Sequence, residues 1–278
     1  MCRVLKVSES GYYRWLKNRN KPTARELLSV EIQAILNEHP DNDNYGVRRM
    51  NVALEQKGIR VSLRTVYRTM SEMEIIHRRR TPHGTTKATS EIQDRENLIK
   101  RDFKAGKPLR KLLSDITEIQ CCDGKLYVSA VLDCYNGEIL SVAMDNNMKK
   151  ELCIRTVTEL GLQYGKKIRG AIFHSDRGSQ YTSEAFRIAL RDAGLVQSLS
   201  GTGHCFDNAR MESFFATLKK EKIYRISAYK LTREQVKSII FRYIFVYYNR
   251  IRISSVNPGG LSPVAYREWA KANAPTVA

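Results

Sequence analysis

The chain has 278 residues, 42% hydrophobic and 27% charged, which suits one large globular domain or two ordinary ones. Lys and Arg total 47 against 29 for Asp and Glu, a formal charge of +18 that favours a polyanionic partner, nucleic acid before anionic membrane. No apolar run is long enough to span a membrane, the opening MCRVLKVSES has no signal-peptide core, and six scattered cysteines without a CxxC spacing argue for reduced, structural thiols rather than a zinc or disulfide framework.

Residues 1–75 read as short helices separated by turns. One opens around Ser10-Gly11-Tyr12 after a serine cap, a second follows Tyr45-Gly46 and stops at Gly58, and a third starts after Ser62 as N-cap. In the third, Leu63, Val66, Tyr67 and Met70 recur at helical spacing and are expected to pack inward. Arg64 and Arg68 then share an exposed face, as on the recognition helix of a helix-turn-helix. Residues 76–108 carry Arg78, Arg79 and Arg80 with little apolar periodicity and read as a basic linker that meets phosphates.

From residue 109 onward the pattern turns to strands. Leu113, Asp115, Thr117 and Ile119 alternate onto one face; Asp123-Gly124 and Asn136-Gly137 are hairpin turns, each followed by an apolar run. A helix over about 149–164, a strand ending at Asp176, a helix over about 182–193, a short strand at 196–199 and a helix starting near Asp207 complete the order βββαβαβα. That order predicts an α+β, RNase H-like core, a five-stranded mixed sheet with helices on both faces, over 109–278. A last helix over about 232–250 carries an aromatic and aliphatic stripe from Val236 to Tyr247, read as core packing or as a dimer surface.

Asp176, in FHSDRGSQYTS, is either a turn residue or part of a charged site. In the expected fold its strand lies beside the one bearing Asp115, and the helix after the fifth strand supplies Glu212 beside a buried Met211, Phe214, Phe215 and Leu218 stripe. Three carboxylates suit hard divalent ions, which prefer oxygen ligands and serve in-line displacement at phosphorus. The acids would concentrate metal while the basic surface concentrates DNA.

These motifs together resemble insertion-sequence transposases of the second-reading-frame (OrfB) type, whose DDE catalytic core is similar to that of retroviral integrases. The resemblance rests on Ser114-Asp115-Ile116-Thr117, Val131-Leu132-Asp133, His174 to Tyr181, Asp207 to Phe215, and Tyr248-Asn249, Arg252 and Leu261-Ser262-Pro263, with 35 residues between Asp176 and Glu212. It implies that Asp115, Asp176 and Glu212 are catalytic and hold two Mg²⁺ ions, with Mn²⁺ as a substitute. It also implies that Lys219, Arg177 and Gln180 meet DNA, alongside the Arg64, Arg68 and Arg78 to Arg80 already noted. Asp133 and His174 are read as structural or supporting residues, and Asp207 as the cap of the Glu212 helix. The family usually has a Trp shortly before the first Asp, basic residues in the loop at 201–203 and a His at position 254; here stand Leu112-Leu113-Ser114, Gly201-Thr202-Gly203 and Ser254. The implied activity is strand cleavage at element ends and joining of the 3′-OH to another phosphodiester, in the bacterial cytoplasm on nucleoid DNA. A homo-oligomer and the first-reading-frame product are the implied protein partners. A metal-dependent nuclease of the same fold and a non-catalytic DNA-binding regulator are the alternatives.

Overall fold

In a computed structural model of the chain, residues 8–76, 97–201 and 205–273 are described. The chain divides into two compact units, Met1–Arg79 and Arg80–Ala278.

The first unit is helical. Helix α1 (Glu9–Asn18) starts after a serine cap, Ser8, which accepts a hydrogen bond from the Gly11 N–H at 3.1 Å. Helix α2 (Ala24–Asn37), not anticipated from the sequence, opens with a reciprocal capping box between Thr23 and Glu26. Helix α3 (Val47–Gln56) ends before Gly58, whose φ of 80° lets the chain turn back, and α4 (Leu63–Glu72) begins with Ser62 accepting from the Thr65 N–H. Leu28, Ile32 and Ile35 of α2, Met50 and Leu54 of α3, and Val66 and Met70 of α4 form the core. The expected inward packing of Leu63 and Tyr67 does not occur: they are 47% and 53% exposed. The buried arc of α4 is centred on Val66, Thr69 and Met70, and Tyr67 lies about 100° round the axis from Val66. Leu63 and Tyr67 instead line a surface depression with Val47, Arg48, Arg64 and Arg68.

The second unit holds a five-stranded sheet in the order β3-β2-β1-β4-β5. Strand β1 (Lys111–Cys121) pairs antiparallel with β2 (Gly124–Asp133), and β2 with β3 (Ile139–Asp145). The two turns fall at the Asp-Gly and Asn-Gly signals, with Gly124 and Gly137 at φ 122° and 78°. Helix α5 (Lys150–Tyr164) crosses to β4 (Ile172–Ser175), which runs parallel to β1. A short helix α6 (Ser179–Thr182) and α7 (Glu184–Asp192) lead to β5 (Val196–Leu199), parallel to β4. This is the RNase H-like topology.

Residues alternate across the pleat. Leu112 of β1 joins Val131, Leu140, Phe173 and residues of α5 and α7 in one apolar core. Leu113, Thr117 and Ile119 point the other way, where α8 (Ala209–Leu218) packs on β1 and α9 (Arg233–Arg242) on β2. Beyond α9 the helix widens into π-turns over Tyr243–Tyr248; Val236, Ile240, Tyr243, Ile244 and Tyr247 make its buried stripe. Helix α10 (Pro263–Ala272) closes the unit, held through Arg267 to the buried Glu138.

The C-terminal motif residues are fasteners. Asn249 accepts from the Ile139 N–H and donates to the Ile139 carbonyl, and Ser262 donates to the Arg250 carbonyl. Residues 97–101 are tied to the second unit by Asp207, which accepts from the Asn97 amide and from Arg101 Nε, each at 2.8 Å. Among the described residues no helix is long and apolar enough to cross a membrane.

Candidate active site

The site is assembled at the junction of β1, β4 and α8. In the parallel β1–β4 pairing Leu113 stands opposite His174, so two residues further on Asp115 comes level with Asp176, just past the end of β4. Asp176 is exposed, and its Oδ1 accepts from the Gly178 N–H at 3.0 Å. It therefore closes a turn, and its carboxylate stays exposed. Gly178 permits this: a Cβ there would stand 3.1 Å from Asp176 Oδ1 and 2.8 Å from Gln180 Oε1.

Helix α8 carries Glu212 at the border of its buried stripe of Met211, Phe214, Phe215 and Leu218. Asn208, at the start of α8, donates to the Ser114 carbonyl at 3.0 Å, fastening the helix of Glu212 to the strand residue next to Asp115. Ser114 is held again by a hydrogen bond between its hydroxyl and that of Tyr181.

Asp115 is electrostatically the centre of the group. Burial pushes its carboxyl up to about 7, with the Ile116 N–H opposing; the charges of Asp176 and Glu212 add to the rise and Lys219 reduces it. Glu212 is also raised, by partial burial. The three acids thus share one field, yet among the described residues no three His, Cys, Asp or Glu side chains stand close enough to hold one metal ion. Asp115 and Glu212 line a groove of about 330 Å³ together with Phe215, Lys219, Lys220 and Tyr224; Asp176 lies outside that lining.

The remaining sequence candidates fall in several places. Asp133 is buried at the end of β2, accepting from the N–H groups of Leu109 and Tyr135, and burial pushes its carboxyl up to about 6. His174 is fully buried between the Ser198 and Ser200 hydroxyls, and burial lowers it to about 4, so it stays neutral. Asp207 is not the cap of α8: it sits in the 3₁₀ turn Cys205–Asn208 and spends its oxygens on Asn97, Arg101 and the Gly201 N–H. The turn before the helix moves the boundary past it. Arg177 donates to the Ser200 carbonyl and Gln180 to the Met148 carbonyl, so each has a structural bond beside the site. Arg64 and Arg68 lie on the exposed side of α4 in the helical unit. Arg78, Arg79 and Arg80 lie outside the described residues.

Lys220 and Tyr224 escape a reading by helical periodicity. The helix widens into a π-turn over Lys219–Ile223, so the phase that identifies Lys219 no longer holds five residues later.

The same two parts of the chain match known families. Residues 23–83 match the HTH-like domain family, and residues 105–205 and 212–270 match integrase core domain families. Over 273 residues the chain is 34% identical to the uncharacterized 31 kDa protein of insertion element IS600 from Shigella sonnei, covering 96% of this chain and 97% of that one. It is 30% identical to the putative transposase InsK of insertion sequence element IS150 of Escherichia coli, covering 96% of this chain and 92% of InsK. It is 32% identical to the transposase InsF of insertion sequence IS3A from the same organism, covering 95% and 91%. The simian T-cell lymphotropic virus intasome structure overlays with a TM-score of 0.49 at 12% identity, over 82% of this chain and 72% of that one. The HTLV-2 integrase catalytic core domain in complex with magnesium overlays at 0.43 and 15%, over 58% and 97%. The chain belongs to the insertion-sequence transposases that carry an integrase-type core.

Proposed function

We propose that this transposase cuts one strand at the end of its element and joins the freed 3′-OH to a second phosphodiester, using Asp115, Asp176 and Glu212. The observation that carries the reading is Asp115, raised to about 7 by burial and by two further acids in a strongly basic protein. Carboxylate oxygens are hard donors that suit divalent cations, which would draw the three acids closer together than they stand here and relieve their repulsion. Asp115, Asp176 and Glu212 would hold Mg²⁺ or Mn²⁺, two per site, and the metal when bound supplies Lewis-acid activation of the attacking oxygen and charge stabilisation of the leaving one.

The protein's own residues do the positioning. Lys219 and Lys220 line the groove beside the acids and suit backbone phosphates, with Arg177 and Gln180 near Asp176 as further contacts. Arg64, Arg68 and the Arg78 to Arg80 run would hold flanking duplex by its phosphates. In the first step a water oxygen forms a bond to phosphorus and the bond to the 3′ oxygen breaks, leaving a 3′-OH and a 5′-phosphate. In the second that hydroxyl oxygen bonds to the phosphorus of another phosphodiester, whose bond to its own 3′ oxygen breaks and leaves a new 3′-OH, so no bond to protein forms.

The test is a labelled duplex bearing the element's own end, incubated with Mg²⁺ or Mn²⁺. Nicked and then joined products are expected. Nicks without joined products would identify a nuclease, and binding without either would identify a regulator.

A further inference from the structure

The helix bearing Glu212 changes pitch at its end. From Lys219 to Ile223 it forms one π-turn, in which the Tyr224 N–H reaches back to the Lys219 carbonyl at 2.9 Å. On an unbroken α-helix Tyr224, twelve residues after Glu212, would point about 120° away from it. The wide turn takes up an extra residue and brings Tyr224 back, so it shares a groove with Asp115, Glu212, Lys219 and Lys220.

Tyr224 is 66% exposed, and its ring and hydroxyl have no partner among the described residues. Lys219 and Lys220 form no ion pair among those residues. A large aromatic face in a basic groove, beside acids suited to phosphoryl transfer, fits a nucleobase: the lysines take phosphates and the ring takes the flat face. A base inside a duplex has both faces covered by its neighbours, so only an unpaired base can present one. We infer that Tyr224 is the stacking platform for an unpaired base at the DNA end, a subsite that rests on the catalytic reading above. Stacking there fixes the strand whose phosphates run over Lys219 and Lys220, next to Asp115 and Glu212, and opening of the end becomes part of recognition.

The test measures binding without divalent metal, so that it stands apart from turnover. Two duplexes carrying the element end are compared, one fully paired and one with its last few nucleotides mismatched, each with 2-aminopurine as the terminal base. Wild type and Tyr224→Phe are expected to prefer the mismatched end by about tenfold and to quench the probe. Tyr224→Ala is expected to bind the paired duplex as wild type does while losing both the preference and the quenching. Retention of both by Tyr224→Ala overturns the inference. Glu212→Gln is expected to keep the preference. If the preference and its loss in Tyr224→Ala are seen but wild type gives no metal-dependent nicking, the catalytic reading fails and the stacking site stands.

Discussion

Glu221 follows Lys219 and Lys220 in the π-turn and anchors that turn to the C-terminal helices. Its Oε1 accepts from Arg252 Nη2, and its Oε2 from Arg252 Nε and the Tyr243 hydroxyl, all at 2.8 Å. Both partners of the ion pair are nearly buried, and the guanidinium lies over the Tyr248 ring at 5.3 Å. Burial disfavours the Arg252 cation, but the Glu221 hydrogen bonds outweigh it and leave the guanidinium held more firmly in its charged form than usual. Glu221→Ala strands that cation and removes the Tyr243 acceptor, at an expected cost of about 3–5 kcal/mol. Glu221→Gln keeps the shape but not the charge and should cost about 1.5–3 kcal/mol. Replacing all three groups with apolar ones, Glu221→Leu with Arg252→Met and Tyr243→Phe, should recover much of the loss, since a buried pair is often matched by well-packed hydrophobes once no polar group is left stranded. Urea unfolding measures all three as shifts of the midpoint at constant slope. A Glu221→Ala protein within about 1 kcal/mol of wild type would refute the reasoning, because so small a cost means the cation is already satisfied by solvent.

Asn208→Ala removes a donor to the buried carbonyl beside Asp115; it should cost about 1–3 kcal/mol and lower nicking, and unchanged values for both would show that the clamp does not position the site. Burial pushes the Cys134 and Cys153 thiols up to about 12 and raises Cys121 as well, whereas Cys122 is exposed. Because the thiolate is the reactive form, Cys121, Cys134 and Cys153 should stay unlabelled by an alkylating agent until the protein unfolds, while the exposed Cys122 is labelled in the folded protein; mass mapping of the labelled peptides decides it. Arg64→Ala and Arg68→Ala should weaken DNA binding evenly across sequences and lower the salt slope by about 1 each if they meet phosphates, and an unchanged slope removes them from the interface.

Much of the second unit was legible because its signals are local. Asp123-Gly124 and Asn136-Gly137 require left-handed glycines, and each falls at a hairpin turn. Once β1 and β4 are neighbours, the level of Asp115 with Asp176 follows from strand order, and the apolar stripe of α8 fixes the side on which Glu212 emerges. What stayed hidden depends on long-range geometry. Leu63 and Tyr67 match a core stripe, yet which arc of α4 is covered depends on where α2 and α3 lie. Asp207 looks like a cap, but a 3₁₀ turn displaces the helix start and frees its carboxylate for Asn97 and Arg101. Tyr224 and Lys220 reach the groove through a π-turn that no α-helical phase anticipates. Arg252 was visible as a motif residue, but its partner Glu221 lies 31 positions earlier in the chain and carries no signal of its own.

The most direct test of the central claim compares wild type with Asp115→Asn, Asp176→Asn and Glu212→Gln, each close to isosteric, on a labelled element end with Mg²⁺ or Mn²⁺. Cleavage and joining are scored beside binding of the same duplex. Metal-dependent nicking and joined products from wild type, neither from any of the three variants, and binding retained by all four is the predicted result. Nicking by any one variant at the wild-type rate would contradict the assignment of the three acids.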